Sequence, residues 1–244
     1  MTEAATLRTL GVIGGMSWAS TASYYRLLNE GVQARLGGLH SARLLVHSVD
    51  FADIEALQTC GDWHAAGQLL GDAAAGLARA GADCLLIATN TMHKVADAVT
   101  AASGLPLIHI VDATVVAIRA ADHGRVGLLG TRYTMEQDFY RGRLEAHGIE
   151  VLVPDDAGRT EIDRVIYEEL CLGRCESRAR DFYRATIGRM VEQGAEGVVL
   201  GCTEIGLLVG PQDVDCPLFD TTALHAAAAV GVALGGPLPP APEA

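Results

Sequence analysis

No apolar run in this 244-residue chain approaches the roughly 18 residues that a membrane-spanning helix needs. Cations are few: 18 Lys and Arg stand against 30 Asp and Glu, a formal net charge of −12. The clustered basic side chains that a nucleic-acid backbone requires are missing, so no nucleic-acid partner is expected. Met1-Thr2-Glu3-Ala4-Ala5-Thr6 carries none of the basic, apolar and cleavage regions of a secretory leader, and the expectation is a cytoplasmic protein. The six cysteines are scattered, too sparse for a disulfide scaffold. Cys171 and Cys175 lie four apart on an expected helix, but no second Cys or His pair accompanies them, so they read as half-buried helix residues and no metal is expected. Gly14-Gly15-Met16-Ser17 lacks the Gly-x-Gly-x-x-Gly spacing of a dinucleotide loop. Its backbone N–H groups suit a carboxylate or another small anion instead, and net charge does not forbid one where local donors are arranged for it.

What the chain does have is a large apolar share, 50% of residues, in short strand-like runs that alternate with helical segments. Leu10 to Ile13, Ala42 to Val49, the run ending at Ala88, and Leu105 to Val111 read as strands of a first half. Val126 to Leu129, Ile149 to Val153, Gly197 to Leu200 and Pro217 to Phe219 read as strands of a second. Expected helices include Trp63–Ala80, Lys94–Ala102, Val115–Ala121, Met135–Ala146, Glu161–Leu172, Ser177–Gln193 and Thr222–Leu234, with a fraying tail from Gly235 onward. Such alternation predicts parallel sheets covered on both faces, with ligands at the carboxyl ends of the strands.

The two halves also look like copies. Gly194 to Thr203 aligns with Gly81 to Asn90, 113 residues earlier, so Thr89 takes the place of Cys202. Gly127-Leu128-Leu129-Gly130 repeats Gly11-Val12-Ile13-Gly14 at 116 residues, and Cys216-Pro217-Leu218-Phe219 repeats Leu105-Pro106-Leu107-Ile108 at 111. Nearly constant offsets imply duplication. The fold class expected is α/β, two pseudo-symmetric doubly wound parallel-sheet domains with the active site in the cleft between them. Residues 1–112 with 220–244 form the first domain and 113–219 the second. Thr89 and Cys202 would then face each other across one small molecule.

Cys202 sits at a strand-to-helix turn, where unpaired N–H groups and the helix dipole would favour a reactive thiolate; a buried, inert cysteine is the plainer alternative. Thr89, Asn90 and Thr91 could each cap a helix or hold a carboxylate. Thr131 and Thr203 follow strand ends in the second half and suit ligand contacts. His93 reads as a structural hydrogen-bonder.

Six strings carry a resemblance to a known family: GVIGGMSW at 11–18, HSVDF at 47–51, TNTMHKVADA at 89–98, LGTRYTMEQDFYRGRL at 129–144, EELCLG at 168–173 and GCTEIGLLV at 201–209. Over Gly11 to about His225 the chain resembles the aspartate/glutamate racemases that work without pyridoxal phosphate. The resemblance implies a cofactor-free isomerase, commonly a homodimer, acting on a small acidic amino acid. It makes Cys202 and Thr89 the acid and base on opposite faces of Cα, with the second-half cysteine taking the proton from the L-enantiomer. It adds Met16, Gln58, Thr89, Asn90, Thr91 and Thr203 as substrate contacts. Thr89 replaces a commoner Cys, and Glu161 a commoner Lys, which leaves Arg159 or Arg164 to hold the side-chain carboxylate. Competing readings are a hydantoin racemase, a maleate isomerase, or an amino-acid-binding regulator.

Overall fold

The computed structural model describes residues 7–237, which fall into two compact units, 7–110 with 225–237 and 111–224. The first unit contains β1 (Leu10–Gly14), α1 (Trp18–Leu36), β2 (Leu44–Ser48), α2 (Phe51–Cys60), α3 (Trp63–Arg79), β3 (Cys84–Ile87), a 3-10 turn over Thr91–Val95 and α4 (Ala96–Ser103). The chain passes into the second unit through α5 (Ile110–Ala120). There follow β4 (Arg125–Gly130), α6 (Arg132–Glu136), α7 (Asp138–Ala146), β5 (Glu150–Leu152), α8 (Asp156–Glu168), a 3-10 turn over Leu170–Leu172, α9 (Ser177–Glu192), β6 (Gly197–Gly201), α10 (Ile205–Leu208) and β7 (Leu218–Asp220). Finally, α11 (Thr221–Ala233) carries the chain back into the first unit. The sheets run β2-β1-β3 and β5-β4-β6-β7, and every paired strand is parallel.

Register settles the duplication. Leu10 pairs with Cys84 and Ile13 with Ile87 in the first sheet; Val126 pairs with Gly197 and Leu129 with Leu200 in the second. These are the same pairs under the offsets of 116 and 113 residues read from the sequence. The third repeat agrees as well: Leu85 N–H donates to the Pro106 carbonyl at 2.9 Å, and Val198 N–H to that of Pro217 at 2.9 Å. The strand entries match too. Gly81 and Gly194 have φ of 96° and 98°, a left-handed conformation that glycine adopts without strain. Just after them, Asp83 accepts from Thr9 N–H and Glu196 from Arg125 N–H. Thr89 and Cys202 therefore follow equivalent strands at equivalent positions, each within its own unit.

Alternation along the strands divides the first core in two, because successive side chains point to opposite faces. Leu10, Val12, Cys84 and Leu86 pack with Tyr24, Leu28 and Val32 of α1 and with Ala226, Ala229, Val230 and Ala233 of α11. Ile13, Leu85 and Ile87 pack on the other side with Ile54 of α2 and Leu70, Ala74 and Leu77 of α3.

Several elements differ from the sequence reading. Leu105 to Val111 is not a strand: only Leu107 bridges Leu85, and α5 begins at Ile110. The helix expected over Met135–Ala146 is two, parted at the extended Gln137. Cys171 and Cys175 do not share a helix, because Gly173 turns left-handed between them. The tail beyond Pro237 lies outside the described residues.

Candidate active site

In the first unit, the loop after β1 is built around Gly15. Its φ is 97°, and a Cβ there would lie 2.1 Å from the Val49 carbonyl oxygen. The Gly15 N–H donates to Thr21 Oγ1 at 2.8 Å, and Ser17 caps α1. That N–H is thus committed inside the loop. Met16 is buried in the α2–α3 side of the core. Gln58, buried on α2, directs its amide Nε2–H to Met92 Sδ at 3.0 Å.

Two residues after β3 comes Thr89, half-buried. Its hydroxyl caps nothing: the 3-10 turn begins behind Asn90, which makes no side-chain capping bond, and among the described residues the Thr89 side chain has no hydrogen bond. Its backbone is held firmly. The Thr89 carbonyl accepts from His93 Nδ1–H at 2.8 Å, and His93 Nε2 accepts from Ile110 N–H at 3.2 Å. Because Nε2 must be the acceptor from an amide, His93 is the neutral tautomer protonated on Nδ1. Asn90, Thr91 and His93 are all buried. Behind them the His93 ring meets His109 edge-on at 4.5 Å and His225 at 5.7 Å. His225 in turn bonds Tyr24 Oη at 2.8 Å and the Ile108 carbonyl at 2.7 Å.

In the second unit, Thr131 follows β4 and caps α6, accepting from Thr134 N–H at 3.4 Å. Cys202 follows β6 directly. Its Sγ–H donates to Glu204 Oε2 at 3.0 Å, and Thr203 Oγ1–H donates to the same oxygen at 2.6 Å. Burial first, and then the Glu204 charge and the nearby Cys171, hold the Cys202 thiol well above its usual pKa. This corrects the sequence reading of a thiolate stabilised by a helix start: α10 has only four residues, too short for a strong dipole, and the nearest charge is negative. Tyr167 and Tyr183 lie close enough to feel the Cys202 charge, and burial raises both phenols.

Neither basic residue singled out on α8 is uncommitted. Arg159 pairs with Glu136 at 2.9 Å and Asp156 at 3.4 Å. Arg164 pairs with Glu161 and Glu169, both at 2.8 Å, and with Glu168 at 3.3 Å. Among the described residues no group of three or more His, Cys, Asp or Glu side chains is gathered as a metal ion would need. No described helix is long and apolar enough to cross a membrane. Sequence reasoning missed Glu204 and gave His93 a structural role only. Glu204 was visible in the string GCTEI, two residues from the cysteine, but nothing in a string tells which way a carboxylate turns.

Parallel α/β units with polar residues gathered after the strand ends define an enzyme of the isomerase class when set beside known proteins. Residues 13–229 match the family model described as Asp/Glu/Hydantoin racemase, and the chain belongs to that family, whose racemases are independent of pyridoxal phosphate. A candidate Asp/Glu racemase from Yersinia pestis is 58% identical over 93% of this chain and 100% of that one, with a TM-score of 0.88. An aspartate racemase homologue from Pyrococcus horikoshii OT3 is 34% identical over 93% and 99%, with a TM-score of 0.81. The aspartate racemase of Picrophilus torridus, 20% identical over 95% and 96% with a TM-score of 0.76, shares the fold.

Proposed function

We propose that the protein interconverts L- and D-aspartate or glutamate by two-base α-proton transfer, with Cys202 and Thr89 on opposite faces of the substrate Cα and the L-form as the better substrate. The observation that carries this reading is the shared register, which gives a thiol and an uncommitted hydroxyl the same position after equivalent strands. A structural role would have left Thr89 capping the turn that follows it.

Cys202 takes the α-proton of the L-amino acid. The electron pair left on carbon spreads into the α-carboxylate, where side-chain and backbone donors among Asn90, Thr91 and Thr203 stabilise it as an oxyanion hole does. Thr131, Gln58 and Met16 complete the contacts, and Thr89, or a water at its hydroxyl, delivers a proton to the other face. A hydroxyl is a far weaker base than a thiolate, so abstraction from the D-enantiomer is the harder direction. The enantiomers have equal free energy in water, so the forward and reverse kcat/KM are equal, and the preference for L lies in kcat and KM separately. The protein works as a cytoplasmic homodimer, and the product of the preferred direction is a D-amino acid.

The test is chiral chromatography after incubation with each enantiomer of aspartate and glutamate, with hydantoins and maleate alongside. Conversion of L-aspartate or L-glutamate supports the reading. No turnover of any acidic amino acid, or turnover of a hydantoin or maleate alone, overturns it.

A further inference from the structure

Glu204 is 5% exposed and stands at the N-terminus of α10, yet its side chain makes no capping bond. It turns back instead, and one carboxylate oxygen accepts from both the Cys202 thiol and the Thr203 hydroxyl. A buried carboxylate is costly unless hydrogen-bonded, and these two donors offset part of that cost. The same arrangement is awkward for a simple thiolate base. Ionising Cys202 beforehand would put two negative charges 3.0 Å apart in a partly buried turn.

We propose that Glu204 is the proton acceptor for Cys202: the thiol passes its proton to Glu204 Oε2 as the sulfur takes the α-proton of the L-substrate. This rests on the reading of Cys202 as the L-side base. The step balances. The Cα–H and the original S–H bonds break, a new S–H and a Glu204 O–H form, and the electron pair stays on the substrate. The negative charge moves from Glu204 to the substrate carboxylate, so two anions never share the turn. After Thr89 gives its proton to the opposite face, Glu204 returns a proton to solvent and Thr89 takes one up. Thr203 donates to the same oxygen and keeps it aimed at sulfur.

The test separates a relay from a mere neighbour, because the two predict opposite outcomes in Glu204→Gln. Removing the charge lowers the thiol pKa, so alkylation of Cys202 by iodoacetamide becomes faster and its pH midpoint moves down. A relay nevertheless loses its acceptor, so α-deuterium exchange of L-substrate in deuterated water falls by about 10²–10⁴-fold. Glu204→Asp recovers part of the exchange. The wild-type protein supplies a second readout that needs no variant: exchange reaches half its maximum at a pH well below the Cys202 alkylation midpoint. Exchange rising together with alkylation in Glu204→Gln, exchange within a few-fold of wild type, or coincident midpoints in the wild type would each overturn the proposal. Cys202→Ala is the control for the underlying reading. If it still exchanges at the wild-type rate, the base assignment itself is wrong; if it is inactive while Glu204→Gln is fully active, only the role of Glu204 is.

Discussion

Replacing His93 with phenylalanine isolates what holds the Thr89 turn. The ring volume is kept, but both nitrogens go. The Thr89 carbonyl loses the donor at 2.8 Å, and the Ile110 N–H loses the acceptor at 3.2 Å. His93 is 3% exposed, so water does not readily replace either bond. Each bond lost costs roughly 1–3 kcal/mol, giving a destabilisation of about 2–6 kcal/mol. The molecule supplies its own reporter, because both tryptophans, Trp18 and Trp63, belong to the first unit. Urea unfolding followed by tryptophan fluorescence will show a lower midpoint for His93→Phe. In the folded variant racemisation falls as Thr89 loses its anchor, while alkylation of Cys202, in the second unit, keeps its wild-type rate. An unchanged midpoint with unchanged racemisation would refute the idea that this histidine fixes the turn.

Further outcomes follow from the same geometry. Burial lowers the His225 pKa from 6.5 to about 4, against a smaller opposing effect of its bond to Ile108. The unfolded chain therefore binds this proton first as pH falls: His225 contributes full stability above about pH 6.5 and loses up to roughly 3 kcal/mol by pH 4. His225→Gln flattens that limb in urea unfolding repeated across pH. Cys202→Ala lowers racemisation by about 10²–10⁴-fold or more, with unfolding shifted by only about 1 kcal/mol. Gly15→Ala must displace the Val49 carbonyl and adopt a positive φ, and loses at least about 2 kcal/mol in the same unfolding assay.

The sequence carried the architecture well because duplication is written in it twice, once as letters and once as spacing. The offsets of 113, 116 and 111 residues anticipate the strand register pair by pair, since a parallel strand slipped by one residue would turn its buried face outward. What escaped was decided by tertiary contact. Leu105 to Val111 has the apolar run of a strand, but it makes only the single bridge from Leu107 to Leu85 before the segment bends into α5. The position of Cys202 was legible and its ionisation was not, because that depends on burial and on the direction Glu204 turns. His93 was read correctly as a structural hydrogen-bonder, but its partner, the Thr89 carbonyl, lies only four residues away and appears only once the 3-10 turn is seen.

The central claim is that a thiol and a hydroxyl divide the two faces of one carbon. Thr89→Ala in deuterated water, followed by NMR and chiral chromatography with L-aspartate and L-glutamate, tests it most directly. Thr89 makes no side-chain hydrogen bond among the described residues, so the variant folds as the wild type does. The account predicts that Thr89→Ala still exchanges the α-proton of the L-enantiomer through Cys202 while D-product all but ceases to form. D-product forming at the wild-type rate would contradict it.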